Sequence, residues 1–257
     1  MLRSYSLPLV ASLALVVLLL ASCSESADQL DTSEPWDLVW ITDSMGGGVA
    51  QAWADRIEEA EGVEVRMHNH TTDLLSLVQV RDWLNDRAVL RDEVADAEII
   101  VVYGNPLKSG IPMDTGTCVS TSPTPRDPPH LYTAADLAPY GDVLRDIYDL
   151  VFELRAGQPT VIRAFDEFNG MLSDWREAGI EEECTAAWES QSEALREAAD
   201  EYKVAFASFY GEFNGVDHDE DAREKGYIAS DGRHASPEGV LAQAEVLHAL
   251  GYDPIVP

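Results

Sequence analysis

Short apolar runs alternate along this chain with stretches whose apolar residues recur every three or four positions. The runs Leu38-Val39-Trp40-Ile41, Ile99-Ile100-Val101-Val102-Tyr103, Thr160-Val161-Ile162 and Val204-Ala205-Phe206-Ala207 are continuous and rich in β-branched or aromatic residues. They predict buried strands. Val63-Glu64-Val65-Arg66-Met67 alternates apolar and polar residues and predicts a fifth. Helical spacing falls between them, at Ala50, Trp53, Ala54 and Ile57, at Leu74, Leu77 and Val78, and at Val143, Ile147, Leu150, Val151 and Leu154. It returns at Leu195, Ala198, Ala199 and Tyr202, and at Val240, Ala244 and Leu247. Lys108 to Pro139 is rich in Pro, Thr, Ser and Gly and predicts a long loop. Loops of that length are usually functional or mobile.

Continuous apolar strands alternating with helices predict an α/β domain, a parallel sheet covered on both faces. In such sheets sites gather at the carboxyl ends of the strands. That rule singles out the segment after Ile41, the segment after Tyr103 and the loops near the C-terminus. No internal repeat or second core is evident. At 257 residues and 46% apolar composition the chain suits one such domain, over 36–257.

Residues ahead of Trp36 follow a different pattern. Arg3 gives a basic start, and Leu7 to Ala21 is apolar for about 15 residues, signal-peptide length and short for a membrane-spanning helix. The run stops at Leu20-Ala21-Ser22-Cys23. That tetrapeptide resembles a bacterial lipobox, which implies a signal peptide over 1–22, a lipid on Cys23 and a membrane anchor on the extracytoplasmic side. An ordinary cleaved secretion signal with an incidental Cys23 is the other reading. Ser24 to Pro35 is polar and acidic, a short tether completing the segment 23–35.

Charge narrows the partners. With 47 Asp+Glu against 17 Lys+Arg the formal net charge is −30, which repels phosphate backbones and sets nucleic-acid binding aside. Beyond Cys23 the cysteines are Cys118 and Cys184. In an exported protein two such residues read as one disulfide, with two buried free thiols as the alternative. No Cys/His spacing has the look of a zinc site.

Two of the three strand-end segments carry candidate chemistry. Thr42-Asp43-Ser44-Met45-Gly46-Gly47-Gly48 puts a serine at a strand-to-helix turn beside glycines that let a substrate approach the backbone. Free N–H groups at the start of the next helix suit a developing oxyanion. Ser230-Asp231-Gly232-Arg233-His234 sets a carboxylate three residues before an imidazole, as a general base requires. Ser236-Pro237-Glu238 then opens the last helix, with Ser as its cap. His68 and His70 share a strand face; they read as polar lining of the site, with a metal pair as the alternative. His130, His218 and His248 read as surface or helix-face residues, and the six tryptophans as core. Phe213-Asn214-Gly215 reads either as pocket wall or as a plain turn.

An Asp-Ser after the first strand and an Asp-x-x-His before the last helix together resemble the SGNH/GDSL hydrolase family, over nearly all of 36–257. The resemblance implies a flavodoxin-like three-layer α/β/α sandwich with a five-stranded parallel sheet. It implies Ser44 as nucleophile, His234 as general base and acid, and Asp231 as its orienting carboxylate. Tyr103-Gly104-Asn105-Pro106 matches the family's Gly-x-Asn-Asp block in part, which implies Asn105 as an oxyanion donor beside the Ser44 N–H. The family's second-block glycine has no counterpart in His68-Asn69-His70-Thr71-Thr72-Asp73; a backbone N–H of Asn69 or His70 is the substitute. The activity implied is hydrolysis of a small-molecule, glycan or lipid ester by a monomer without metal or organic cofactor. Acyl transfer on a cell-wall glycan, and a catalytically impaired surface binding protein, are the alternatives.

Overall fold

The β-branched runs form the strands of the protein, seen in a computed structural model that describes residues 29–73, 75–104 and 134–257. The expectations for the signal segment, Cys23, Asn105, Cys118, His130 and most of the long loop fall outside the described residues. Five strands, β1 (Trp36–Ile41), β2 (Val65–Asn69), β3 (Ile99–Val102), β4 (Val161–Phe165) and β5 (Ala205–Ala207), lie in the order β2-β1-β3-β4-β5. Every pairing is parallel, with Leu38 opposite Ile99 and Ile99 opposite Val161. β1, β3 and β4 are buried on both faces, which their unbroken apolar runs require. β2 is an edge strand and only partly buried, which accounts for its alternating composition.

Eight helices are described: α1 (Val49–Glu61), α2 (Leu77–Asp86), α3 (Ala88–Asp96), α4 (Ala134–Leu154), α5 (Leu172–Ala178), α6 (Glu181–Glu201), α7 (Phe209–Asn214) and α8 (Pro237–Ala249). α1 packs on α8, while α2 packs on α4 and α4 on α6. The result is the expected three-layer α/β/α sandwich with a five-stranded parallel sheet. Trp36, Trp40, Trp53, Trp175 and Trp188 are buried, as their reading as core requires, and Phe165 stacks on both Tyr103 and Phe209 at the carboxyl end of the sheet.

Several elements differ from the sequence reading. β2 begins at Val65, because Gly62 ends α1 in a left-handed conformation and leaves Val63 buried beneath the helix end. α2 begins at Leu77, where Ser76 and Gln79 form a reciprocal capping box. α3 was not expected; a single extended residue, Arg87, with no Gly or Pro beside it, separates it from α2. α5 and α7 were missed as well, being seven and six residues long. α4 contains Pro139, which the sequence reading assigned to the loop. The ring sits exposed, six positions into the helix, where it removes one backbone hydrogen bond.

The chain enters at the amino end of the sheet. Leu30 packs on the core, the Trp36 indole N–H donates to the Asp31 carbonyl at 2.8 Å, and the Asp31 carboxylate accepts the Ser33 N–H at 2.8 Å. Among the described residues no helix is long and apolar enough to cross a membrane.

Candidate active site

β1 delivers the chain to Ser44 at the carboxyl end of the sheet. Thr42 is fully buried just past the strand, and its Oγ1 accepts the Trp40 indole N–H at 2.8 Å. The Thr42 carbonyl accepts the Thr72 N–H at 3.1 Å, tying the loop after β2 to the loop after β1. Asp43 then caps a single 3-10 turn, Ser44–Gly46, by accepting the Met45 N–H at 2.9 Å. The turn folds back so closely that a Cβ on Gly46 would stand 2.6 Å from Thr42 Oγ1 and 2.9 Å from its Cβ. Only glycine fits there.

The second half of the site precedes α8. Ile228 and Ala235 form an antiparallel bridge, the Ala229 N–H donates to the His234 carbonyl at 2.8 Å, and Gly232 turns the tip with φ +74°. Ser236 caps α8 through the Gly239 N–H at 3.1 Å and donates to the Gly226 carbonyl at 2.6 Å. Behind the tip, Arg223 donates to both carboxylate oxygens of Asp174 at 2.8 and 2.7 Å, and its Nη2 reaches the Gly232 carbonyl at 3.4 Å. The guanidinium holds the Asp174 carboxyl below the usual carboxylate range.

Across 190 residues of sequence the two halves meet. His234 Nε2 lies 3.2 Å from Ser44 Oγ, and His234 Nδ1 lies 2.7 Å from Asp231 Oδ2. Asp231 Oδ1 accepts the Arg233 N–H at 2.9 Å and the His234 N–H at 3.0 Å. The His234 hydrogen bond, then those two N–H groups, pull the Asp231 pKa down to about 2. With a permanent carboxylate on Nδ1, the tautomer carrying its proton there leaves Nε2 as an acceptor facing the Ser44 hydroxyl. Ser44 is half-buried, while the Asp231 and His234 side chains are 51% and 43% exposed, so the imidazole is open to water.

Donors for a developing negative charge divide clearly. The N–H groups of Met45, Gly46 and Gly47 are bound to Asp43 or Ser44, and the His70 N–H to the Trp40 carbonyl at 2.8 Å. That commitment removes His70 as an oxyanion donor. The Ser44 N–H has no acceptor among the described residues. Asn69 ends β2 with its Oδ1 accepting the Thr71 N–H at 2.9 Å. Asn105 lies outside the described residues.

His68 and His70 are drawn elsewhere than the sequence reading expected. His68 Nε2 meets Asp37 at 2.9 Å, its Nδ1 meets Glu93 at 3.3 Å, and His70 Nε2 meets Glu93 at 2.6 Å. They join a cluster with two carboxylates between β1, β2 and α3 instead of lining the site, because Asp37 sits near the start of β1 and Glu93 on α3. Among the described residues no group of three or more ligating side chains could hold a metal ion. His218 stacks on Tyr210 at 3.8 Å, His248 meets the Tyr252 hydroxyl at 2.7 Å, and buried Asn214 braces Asn169 and Glu220.

Sequence reasoning missed the polar groups past β4. Glu167 accepts the Tyr103 hydroxyl at 2.9 Å, and burial, with Glu167 and Asp43 nearby, pushes that phenol far up. Asp166 is fully buried, held by Ser192, Ser208 and the Tyr210 N–H; its burial raises its pKa against those bonds. The strand-end rule would have flagged both residues had β4 been carried to Phe165 instead of Ile162.

The fold has solved counterparts. One is the lipase Lip_vut3 from a goat rumen metagenome, with a TM-score of 0.64 and 17% identity over 84% of this chain and 98% of that one. A putative GDSL-like lipase from Parabacteroides merdae gives 0.58 and 14% over 88% and 99%. An acetyl xylan esterase variant from Geobacillus stearothermophilus gives 0.55 and 13% over 86% and 97%. No protein-family model matches the sequence, and neither does any curated protein.

Proposed function

We propose that this protein is an exported, lipid-anchored serine esterase of the SGNH/GDSL type, working as a monomer. The observation that carries the proposal is the unbroken relay from Asp231 through His234 to Ser44 at the carboxyl end of the sheet. Its support from fold is that counterparts named as lipases and an acetyl xylan esterase share this architecture.

In the proposed reaction Ser44 Oγ attacks the ester carbonyl as its proton passes to His234 Nε2. The carbonyl oxygen becomes an oxyanion, received by the Ser44 N–H and, from the family resemblance, by Asn105; Asn69 stands as a third donor through its backbone. Asp231 holds the imidazole and offsets its positive charge. The proton then goes to the departing alcohol as the carbon–oxygen bond breaks, leaving an acyl-Ser44 ester. Water repeats the sequence, releases the acid and restores Ser44. Hydrolysis in this form draws only on groups of the chain and on water.

The N-terminal assignments are part of the proposal: a signal over 1–22, a lipid on Cys23, and a tether to residue 35. So is a Cys118–Cys184 disulfide, supported by Cys184, which is buried at the start of α6 and disulfide-bonded.

Labelling with a fluorophosphonate tests the central reading. Wild-type protein should be modified on Ser44, and the Ser44→Ala and His234→Ala variants should not. An unlabelled wild type would favour the surface binding protein instead. Among esters, acetate release from an O-acetylated polysaccharide set against turnover of lipid esters separates the glycan deacetylase from the lipase.

A further inference from the structure

Where the chain enters the fold and where Ser44 sits are opposite ends of one strand. Residues 29–36 lie against groups that precede the other strands. Leu30, Asp31, Pro35 and Trp36 share a cleft with Glu98, just before β3, and with Pro159, before β4. Buried Arg155 closes that cleft from the end of α4; it donates to the Thr160 hydroxyl at 2.8 Å and to the Ala95 carbonyl. Leu30 is seated on the core and Asp31 accepts the Trp36 indole, so the chain is fastened to the domain from residue 30 onward. β1 then runs six residues to the other end, about 20 Å at strand rise, before the Ser44 turn begins.

The length of chain ahead of that fastening is fixed by the sequence. Cys23 and Gln29 are separated by residues 24–28. Even fully extended, that stretch spans only about 20 Å. A lipid on Cys23 therefore holds the amino end of the sheet near the bilayer.

We infer that the anchor places Ser44 and His234 on the side of the domain facing away from the membrane, so the substrate is an ester borne on a soluble or polymeric molecule outside it, and not an ester of the lipids that hold the anchor. This rests on the esterase and anchor readings above. A free tether of the length 23–35 would let the domain turn its site to the bilayer. Fastening at Leu30 and Asp31 removes that freedom.

The test uses the lipidated full chain in vesicles of phosphatidylethanolamine and phosphatidylglycerol carrying a headgroup quencher. Ala156→Cys, exposed at the amino end, and Val216→Cys, 89% exposed beyond α7 on the Ser44 side, are each labelled with a dye. The dye at 156 should lose most of its emission and the dye at 216 little of it. Equal quenching, or stronger quenching at 216, overturns the placement. The same vesicles receive O-acetylated polysaccharide and p-nitrophenyl acetate from outside, against a short-chain ester lipid built into their own bilayer. Release from the added esters with none from the bilayer lipid is expected, and comparable release from both overturns the inference. Loss of all turnover would instead defeat the esterase reading while the dye pair still reports orientation. Protein that fails to float with the vesicles would defeat the anchor, and the inference with it.

Discussion

Asp231 Oδ2 stands 2.7 Å from His234 Nδ1 while the other oxygen of the same carboxylate accepts two backbone N–H groups of its own loop. The side chain is thus held by the imidazole it orients and by the turn that carries both. Its pKa is lowered to about 2, below the ordinary 3.8. A depressed carboxylate contributes stability above the unfolded value, and that contribution is lost as pH falls from about 3.8 through about 2. A carbon-detected NMR titration of Asp231 should therefore show a midpoint near 2. In His234→Ala it should rise only part of the way back, since the Arg233 N–H and its own loop's remaining N–H persist. A wild-type midpoint at the ordinary value would mean the relay is not formed in solution.

The same relay predicts a graded kinetic series on a short-chain aryl ester. Ser44→Ala should abolish acyl-enzyme formation, and His234→Ala should cost nearly as much, because members of such a unit act together. Asp231→Asn should cost less than either, since the carboxylate orients and stabilises without exchanging the proton. Asn105→Ala should lower kcat by on the order of 10²–10³ if its amide receives the oxyanion. Measured kcat/KM for the four variants checks the series. Wild-type turnover in Ser44→Ala would end the mechanism, whereas wild-type turnover in Asn105→Ala would remove only that donor and turn attention to Asn69.

Much of this arrangement was legible in residue order, for identifiable reasons. Ile99 to Val102 could only be a strand covered on both faces, and the parallel order carried Ser44 and the Asp231 loop to the same end of the sheet. Local pattern said nothing about partners distant in sequence. His68 and His70 looked like site lining because the carboxylates that capture them lie far off along the chain, Asp37 31 residues from His68 and Glu93 23 residues from His70. α5 and α7 were too short to show a period, and α3 follows α2 without a glycine or proline between them. The polar, acidic composition of 23–35 reads as a short tether between lipid and domain, and it does not show that Leu30, an apolar residue within it, packs on the core.

Cys184 carries a separate expectation. It is 1% exposed and packs in a small cluster with Trp175, Trp188 and Tyr210, on the side of β4 where the Glu167 carbonyl accepts the Trp188 indole at 2.8 Å. A bridge to Cys118 would fasten the long segment after β3 to this cluster. It should stabilise by about 2–4 kcal/mol. Non-reducing peptide mapping should recover the two cysteines in one linked species, and Cys118→Ser should lower the melting temperature. Two alkylatable thiols in oxidised, denatured protein would contradict the pairing.

Arg223 sets the last expectation, because it touches the Asp231–His234 loop without touching Ser44. It grips Asp174 on α5 with two bonds and reaches the Gly232 carbonyl with the same Nη2. A Cβ on Gly232 would lie 3.3 Å from that nitrogen, so the guanidinium is packed directly behind the loop tip. Asp174 is about half exposed, so the ion pair itself should be worth no more than about 1 kcal/mol. Its larger effect should be on geometry: a small displacement of His234 from Ser44 is costly to a reaction that depends on their alignment. Arg223→Ala should lower kcat by roughly ten- to a hundredfold with little change in KM. Arg223→Lys should recover only part of it, since an ammonium cannot hold Asp174 with two parallel bonds and still reach Gly232. Asp174→Asn should fall between the two, keeping one acceptor for the guanidinium. Steady-state kinetics beside thermal melts separate the effects: a melting temperature lowered in step with activity would mark Arg223 as merely structural, while an unchanged melt with reduced kcat identifies it as holding the histidine in place.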